Sequence, residues 1–185
     1  MTTATMQPPD RKLVLDQLAS SETQVLLLVD HLTPAQWHFR ESPNRWSIAE
    51  NLEHLILFEA FIRSAIQRTL EAPPEPQKKS EAATKEPLVL GLATSRDTRF
   101  NAREIVRPTN RYSDPLRMIE EFRNTRAQTM AFATETQAPL RDHFFPHIAF
   151  GDLDCYQWLL VLAHHTARHA AQIEQIKADP AYPTA

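Results

Sequence analysis

Glycine is nearly absent from this chain of 185 residues, which carries 2 glycines against 14 prolines. Sheets joined by tight hairpins need glycine where φ is positive, whereas long helices joined by proline-punctuated loops do not, so the ratio argues for an all-α fold. A single cysteine, Cys155, excludes an internal disulfide, and the N-terminal stretch MTTATMQPPDRK lacks the apolar core of a signal peptide. Both lead to the expectation of a cytoplasmic protein. The longest unbroken apolar runs, such as Leu26 to Val29 and Trp158 to Ala163, fall far short of the ~20 residues of a membrane helix, so no membrane association is expected. Charge of one sign is missing as well. With 20 Lys+Arg against 23 Asp+Glu the net charge is -3, which offers no electrostatic footprint for nucleic acid.

What the chain does have is helical periodicity, in a length that suits a single domain over residues 1–185. Leu13, Leu15, Leu18, Val25, Leu26, Leu28 and Val29 recur at helical spacing and predict a first helix over 10–32. Thr33 before Pro34 and Gln36 reads as the cap of a short accessory helix. Ser47 and Glu50 form an S-x-x-E capping box that opens a second long helix over 47–70. From 71 to 112 the period collapses into a long crossover, and its proline-rich, charged part from Glu71 to Lys85 is expected to be the most mobile internal segment. Leu116, Met118, Ile119, Phe122, Met130 and Phe132 predict a third helix over 114–136, capped by Ser113 or Asp114. After an irregular link, LRDHFFPHIAFGD, Asp152 is expected to cap a fourth helix over 152–178. Four such segments with one long connection between the second and third predict a four-helix bundle of up-down-down-up course.

The fourth segment, LVLAHHTARHAAQIEQI, places three histidines on an otherwise apolar helix. A buried imidazole must satisfy two ring nitrogens, so core positions ordinarily take Leu, Ile or Ala. His165 and His169 lie four apart and can aim at one point, on a stripe continued by Trp158, Leu162, Gln172 and Ile176. His164 is rotated by roughly 100° from that stripe and is left out. His54 stands on the inward stripe of Asn51, Phe58, Phe61 and Ala65 in the second helix and is the natural third partner. Three neutral imidazoles leave the charge of a divalent ion uncompensated, which favours deprotonation of a bound water or thiol near neutral pH. No E-x-x-H occurs in the chain, which argues against a carboxylate-bridged di-iron centre. Cys155 at a helix start is read as an ordinary buried residue rather than a nucleophile. His143 and His147 flank a loop, where His147 could stand at the mouth of the site and His143 is read as a surface residue. His31 and His38 are read as surface or helix-end residues. Glu50 could act as a base or orienting group, although its capping role explains it.

WSIAENLEHL and FGDLDCYQWLLVLAHHTARHAAQI, together with LTPAQW before them and a crossover ending in RPTNR, resemble the DinB-like superfamily over nearly the whole chain. The resemblance implies an up-down-down-up four-helix bundle whose histidine triad falls on His54, His165 and His169. It further implies a divalent metal ion, nickel or zinc, and a homodimer. Arg168 and Gln172 fall where relatives often carry similar residues, Arg168 in a structural role or at the mouth of the site. Such relatives include metal-dependent hydrolases, S-transferases using low-molecular-weight thiols, and members linked to DNA damage or stress. The resemblance therefore implies a hydrolase or thiol S-transferase acting on a small molecule, the alternative being a non-catalytic metal- or ligand-binding helical module.

Overall fold

The structure is a computed structural model that describes residues 5–92 and 103–184, so the part of the crossover over 93–102 lies outside the described residues. Four long helices form at the expected places: α1 (Pro8–Val29), α3 (Ile48–Leu70), α6 (Pro115–Glu135) and α7 (Cys155–Lys177). Among them lie the short helices α2 (Pro34–His38), α4 (Lys79–Ala83) and α5 (Glu86–Leu90). Their starts follow from local chemistry. Thr33 with Gln36 and Ser47 with Glu50 form complete capping boxes, and Asp114 accepts from the Leu116 backbone N–H. The long helices assemble as an up-down-down-up four-helix bundle in which α1 and α3 each pack against both α6 and α7.

The core is split by a polar layer. One apolar cluster gathers Val14, Leu18, Ile62, Ile66, Ala133 and Leu159; the other gathers Val25, Leu52, Leu55, Phe122, Ala170 and Ile173. Between them each long helix contributes a buried polar residue: Ser21, Glu59, Arg126 and Thr166. Arg126 is fully buried, pairs with Glu59 at 2.9 Å, and donates to Thr166 Oγ1 at 2.8 Å and to the Leu18 carbonyl at 3.2 Å. One guanidinium thereby touches all three other helices.

Three expectations are corrected. Asp154, not Asp152, caps the fourth long helix, accepting from the Gln157 backbone N–H at 2.7 Å while Gln157 returns a bond to the Asp154 N–H. Asp152 instead belongs to a hairpin, β1 (Phe144–His147) against β2 (Gly151–Asp154), with His147 opposite Gly151. Gly151 takes φ +66, a turn position that calls for a glycine's freedom. The crossover after α3, expected as a stretch without helical period, carries short helices anchored to the bundle: Gln157 donates to the Ala82 carbonyl at 2.6 Å, Lys85 to the Asp152 carbonyl at 3.0 Å, and Ala82 and Val89 are buried. Its few apolar residues suffice because Gln157 on α7 meets its backbone and its own Lys85 side chain reaches the hairpin. His143 is likewise not a surface residue. It is buried, its Nδ1 lies 3.1 Å from the Thr69 carbonyl, and its own carbonyl accepts from the Cys155 N–H.

Candidate metal centre

His54 comes from α3 and His165 and His169 from α7, and one ring nitrogen from each lies within 4.8 Å of the others. The three residues selected by spacing thus meet at one point, and His164 is not among them. Nε2 of His54 stands 3.3 Å from Nε2 of His165. Two nitrogens bound at 2.0–2.1 Å to a tetrahedral ion would be separated by about 3.4 Å, so this pair already has the spacing of two ligands.

Two of the rings are oriented by partners behind them. His54 Nδ1 donates to the Val106 carbonyl at 2.7 Å, and His169 Nδ1 donates to Asn51 Oδ1 at 2.7 Å. Each bond places the ring proton on Nδ1 and leaves the Nε2 lone pair facing inward, as a metal ligand requires. Asn51 is held in turn, since its Nδ2 donates to the Ser47 carbonyl at 2.8 Å. His165 is held differently. Its Nδ1 has no partner among the described residues, and the ring stacks on Phe58 with centroids 4.0 Å apart. Trp46 lies over the cluster, 4.9 Å from His54 and 6.2 Å from His169 between ring centroids.

The electrostatics keep these imidazoles neutral. Burial pushes His165 and His169 well below the ordinary histidine range, and the neighbouring imidazoles and Arg168 push the same way. A hydrogen bond with Gln172 opposes this at His169 to a smaller extent. Burial also lowers His54, against the bond to Val106. Neutral nitrogen donors suit a borderline ion such as zinc or nickel, and with the protons of His54 and His169 held on Nδ1 the set fits such an ion.

The same shifts predict a pH-dependent stability. In the unfolded chain these histidines take up protons near pH 6.5, while in the fold His54, His165 and His169, with His147 and His164, resist protonation. Their contribution is therefore complete above pH 6.5 and is lost as pH falls below it, by up to about 1.4 kcal/mol per pH unit for each fully buried ring. Asp154, raised by burial to about 6, acts in the opposite direction but is one group against several. Denaturant midpoints of the metal-free protein should fall from pH 7 to pH 5; a flat or rising profile would contradict these environments.

The other candidates are distributed as follows. His147 reaches the wall of the ≈ 670 Å³ cavity that contains the three histidines; the Ala149 N–H donates to its Nδ1 at 3.1 Å, so the ring proton sits on Nε2. Both Glu50 oxygens are engaged, one by the Ser47 N–H at 2.8 Å and the other by Arg40 at 2.5 Å, so capping and an ion pair account for it. Cys155 is fully buried, and burial pushes its thiol far up despite the helix start, which removes it as a nucleophile. His31 and His38 are exposed, as expected.

Sequence reasoning missed the supporting groups. Asn51 was visible as a polar residue on an inward stripe, a signal that it needs a partner. Glu53 gave no such signal. It is buried beside His54 in the chain and accepts from the Thr109 and Asn110 backbone N–H groups at 2.8 and 2.9 Å. These bonds pin the end of the crossover, and with it the Val106 carbonyl, against α3.

Comparison with known proteins agrees with this architecture. Uncharacterized protein YuaE of Bacillus subtilis (strain 168) is 23% identical over 138 residues, covering 75% of this chain and 81% of that protein. The solved structure of YfiT from Bacillus subtilis, described as a probable metal-dependent hydrolase with an unusual four-helix bundle topology, aligns with a TM-score of 0.56 at 11% identity, covering 96% of this chain and 91% of that one. At that identity the likeness speaks for the fold. The family model of the DinB superfamily matches residues 17–173, which include all three histidines of the cluster, and the chain belongs to that superfamily.

Proposed function

We propose that His54, His165 and His169 hold one divalent metal ion, nickel or zinc, and that the protein is a metal-dependent hydrolase of a small molecule. The convergence of three neutral ring nitrogens, two of them turned inward by bonds to Val106 and Asn51, carries this reading. The description of YfiT as a probable metal-dependent hydrolase supports it. When bound, the ion would supply Lewis acidity toward a substrate oxygen and lower the pKa of water or a thiol. The chain's own residues do the rest. Asn51 and the Val106 carbonyl fix the rings and their protons, Phe58 steadies His165, and Trp46 packs against His54. A second copy of the chain, and a low-molecular-weight thiol as co-substrate, belong to this reading only through the family resemblance.

Esters, amides, lactones and thiol-plus-electrophile pairs offered to nickel-, zinc- and manganese-loaded protein test it. Hydrolysis by the wild type that disappears in His165→Ala is the expected result. Turnover only with a thiol present would make the protein an S-transferase, and no turnover with any pair would make it a binding module. The orienting role of Asn51 has its own test. Asn51→Leu should weaken metal affinity about 10- to 100-fold, because the His169 ring loses its fixed orientation and tautomer. Calorimetric titration of a variant that still melts cooperatively checks this; unchanged affinity would remove Asn51 from the site.

A further inference from the structure

The cavity around the three histidines changes character along the bundle axis. Trp46 faces His169 while Phe58 stacks on His165, so α3 and α7 run antiparallel past each other. From His54 towards the end of α3 the cavity wall carries Phe58, Phe61, Ile62 and Ala65, and from His165 towards the start of α7 it carries Trp158. These residues lie at one end, where the hairpin adds Phe145 and Pro146. His147, 5.2 Å from Trp158 between ring centroids, is kept neutral by burial and adds no charge there. Arg103 and Arg107 reach the wall as exposed residues flanking the Glu104–Val106 turn. The opposite end carries the polar side chains Asn44, Arg45, Glu50 and Gln172 beside Trp46 and Ile176.

The apolar arm has a length and a fixed wall. Phe61 is seven residues from His54 and Trp158 seven from His165, about 10 Å along each helix axis, and Ala65 lies about one turn beyond Phe61. Phe145 stacks on Trp158 with ring centroids 4.4 Å apart, and the Trp158 indole N–H donates to the Phe145 carbonyl at 3.1 Å. Phe58, Phe61 and Phe145 pack on the apolar core yet are only partly buried, so aromatic surface stays open where they line the cavity. Ile148, 65% exposed, carries the apolar wall out to solvent. A volume of ≈ 670 Å³ accommodates a small organic molecule.

We propose that the substrate is an acyl compound whose carbonyl lies at His54, His165 and His169 and whose extended apolar chain lies along Phe58, Phe61, Ala65 and Trp158. This rests on the reading of the histidine cavity as a hydrolase site. Each methylene placed against the open rings is removed from water, whereas the hydroxyls of a sugar-like body would lose water there without gaining partners. Ala65 sets the length of chain accepted, because it is the smallest side chain on the arm and stands at the end farthest from His54.

The test measures binding of acetohydroxamic, butanohydroxamic, hexanohydroxamic, octanohydroxamic and decanohydroxamic acids to metal-free and zinc-loaded protein, by calorimetry or by the fluorescence of Trp46 and Trp158. In both forms affinity should rise about three- to fourfold per methylene and then level off once the chain fills the arm. Ala65→Phe should bring that limit to a shorter chain, and Phe61→Ala should reduce the gain per methylene, each without change in zinc stoichiometry. Asn44→Trp, which adds bulk at the polar end, should leave both quantities as they are. Affinity independent of chain length in the wild type would overturn the proposal, as would a limit and a gain per methylene that neither Ala65→Phe nor Phe61→Ala alters. The two readings fail separately: zinc that adds nothing to the binding of acetohydroxamic acid counts against the metal centre, whereas a flat chain-length series counts against the arm alone.

Discussion

Glu59→Gln is expected to destabilise the fold by about 3–5 kcal/mol, the cost of leaving a buried charge without its partner. Glu59 and Arg126 are 2% and 0% exposed, and their pair sits at the level where the apolar core is interrupted on all four long helices. Arg126 keeps its bonds to Thr166 and to the Leu18 carbonyl in the variant, but neither partner carries charge. The double variant Glu59→Met, Arg126→Met should recover most of the loss, because a buried ion pair is rarely worth more than well-packed apolar groups of similar volume. Urea denaturation of the two proteins checks both halves. A loss below about 1 kcal/mol in the single variant would mean that water or another group reaches Arg126. The layer also bears on the site. Thr166 adjoins His165 in α7, and Glu59 stands little more than one turn from His54 in α3, so Arg126 ties together the two helices that carry the histidines.

The long helices were legible because their ends and faces are written locally. Ser47 with Glu50 and Thr33 with Gln36 announce helix starts within four residues, and the inward stripes follow the 3.6-residue period. The hairpin before α7 was not. Four residues per strand are too few to show alternation, and β1 contains Pro146, which a strand tolerates only at an edge such as this two-stranded ribbon provides. That hairpin shifted the cap of α7 from Asp152 to Asp154. The short helices of the crossover escaped for another reason, since their stability comes from Gln157, Asp152 and other distant partners rather than from periodicity.

The histidine cluster was half legible. Spacing alone paired His165 with His169, and the inward stripe of α3 supplied His54, because an imidazole on an apolar face must meet something polar. The groups behind the rings required three dimensions. The Val106 carbonyl belongs to a crossover without period, and Glu53, which fixes that crossover through Thr109 and Asn110, has no signature that separates it from an exposed helical glutamate. Arg126 was invisible for the same reason: nothing local distinguishes a buried arginine from the solvated ones around it.

His165→Ala is expected to reduce divalent-metal affinity sharply, as are His54→Ala and His169→Ala, while His164→Ala leaves it nearly unchanged. A site that loses one of three protein ligands keeps only a bidentate clamp, or two rings on separate helices. His164 is adjacent in sequence, and its Nε2 is also buried without a partner among the described residues, yet it stands outside the converging set. Because the rings are kept neutral by burial, protons should compete with the metal only below the ordinary histidine range, at a lower pH than the value of about 6.5 expected for an exposed histidine. The loaded protein should melt higher than the metal-free form by mass action. The most direct measurement is the zinc and nickel stoichiometry of the wild type beside His165→Ala and His164→Ala, by calorimetry and metal analysis. One ion per chain in the wild type and in His164→Ala, with none retained by His165→Ala, is the predicted result; binding lost in His164→Ala but kept in His165→Ala, or no ion bound by the wild type, would contradict it.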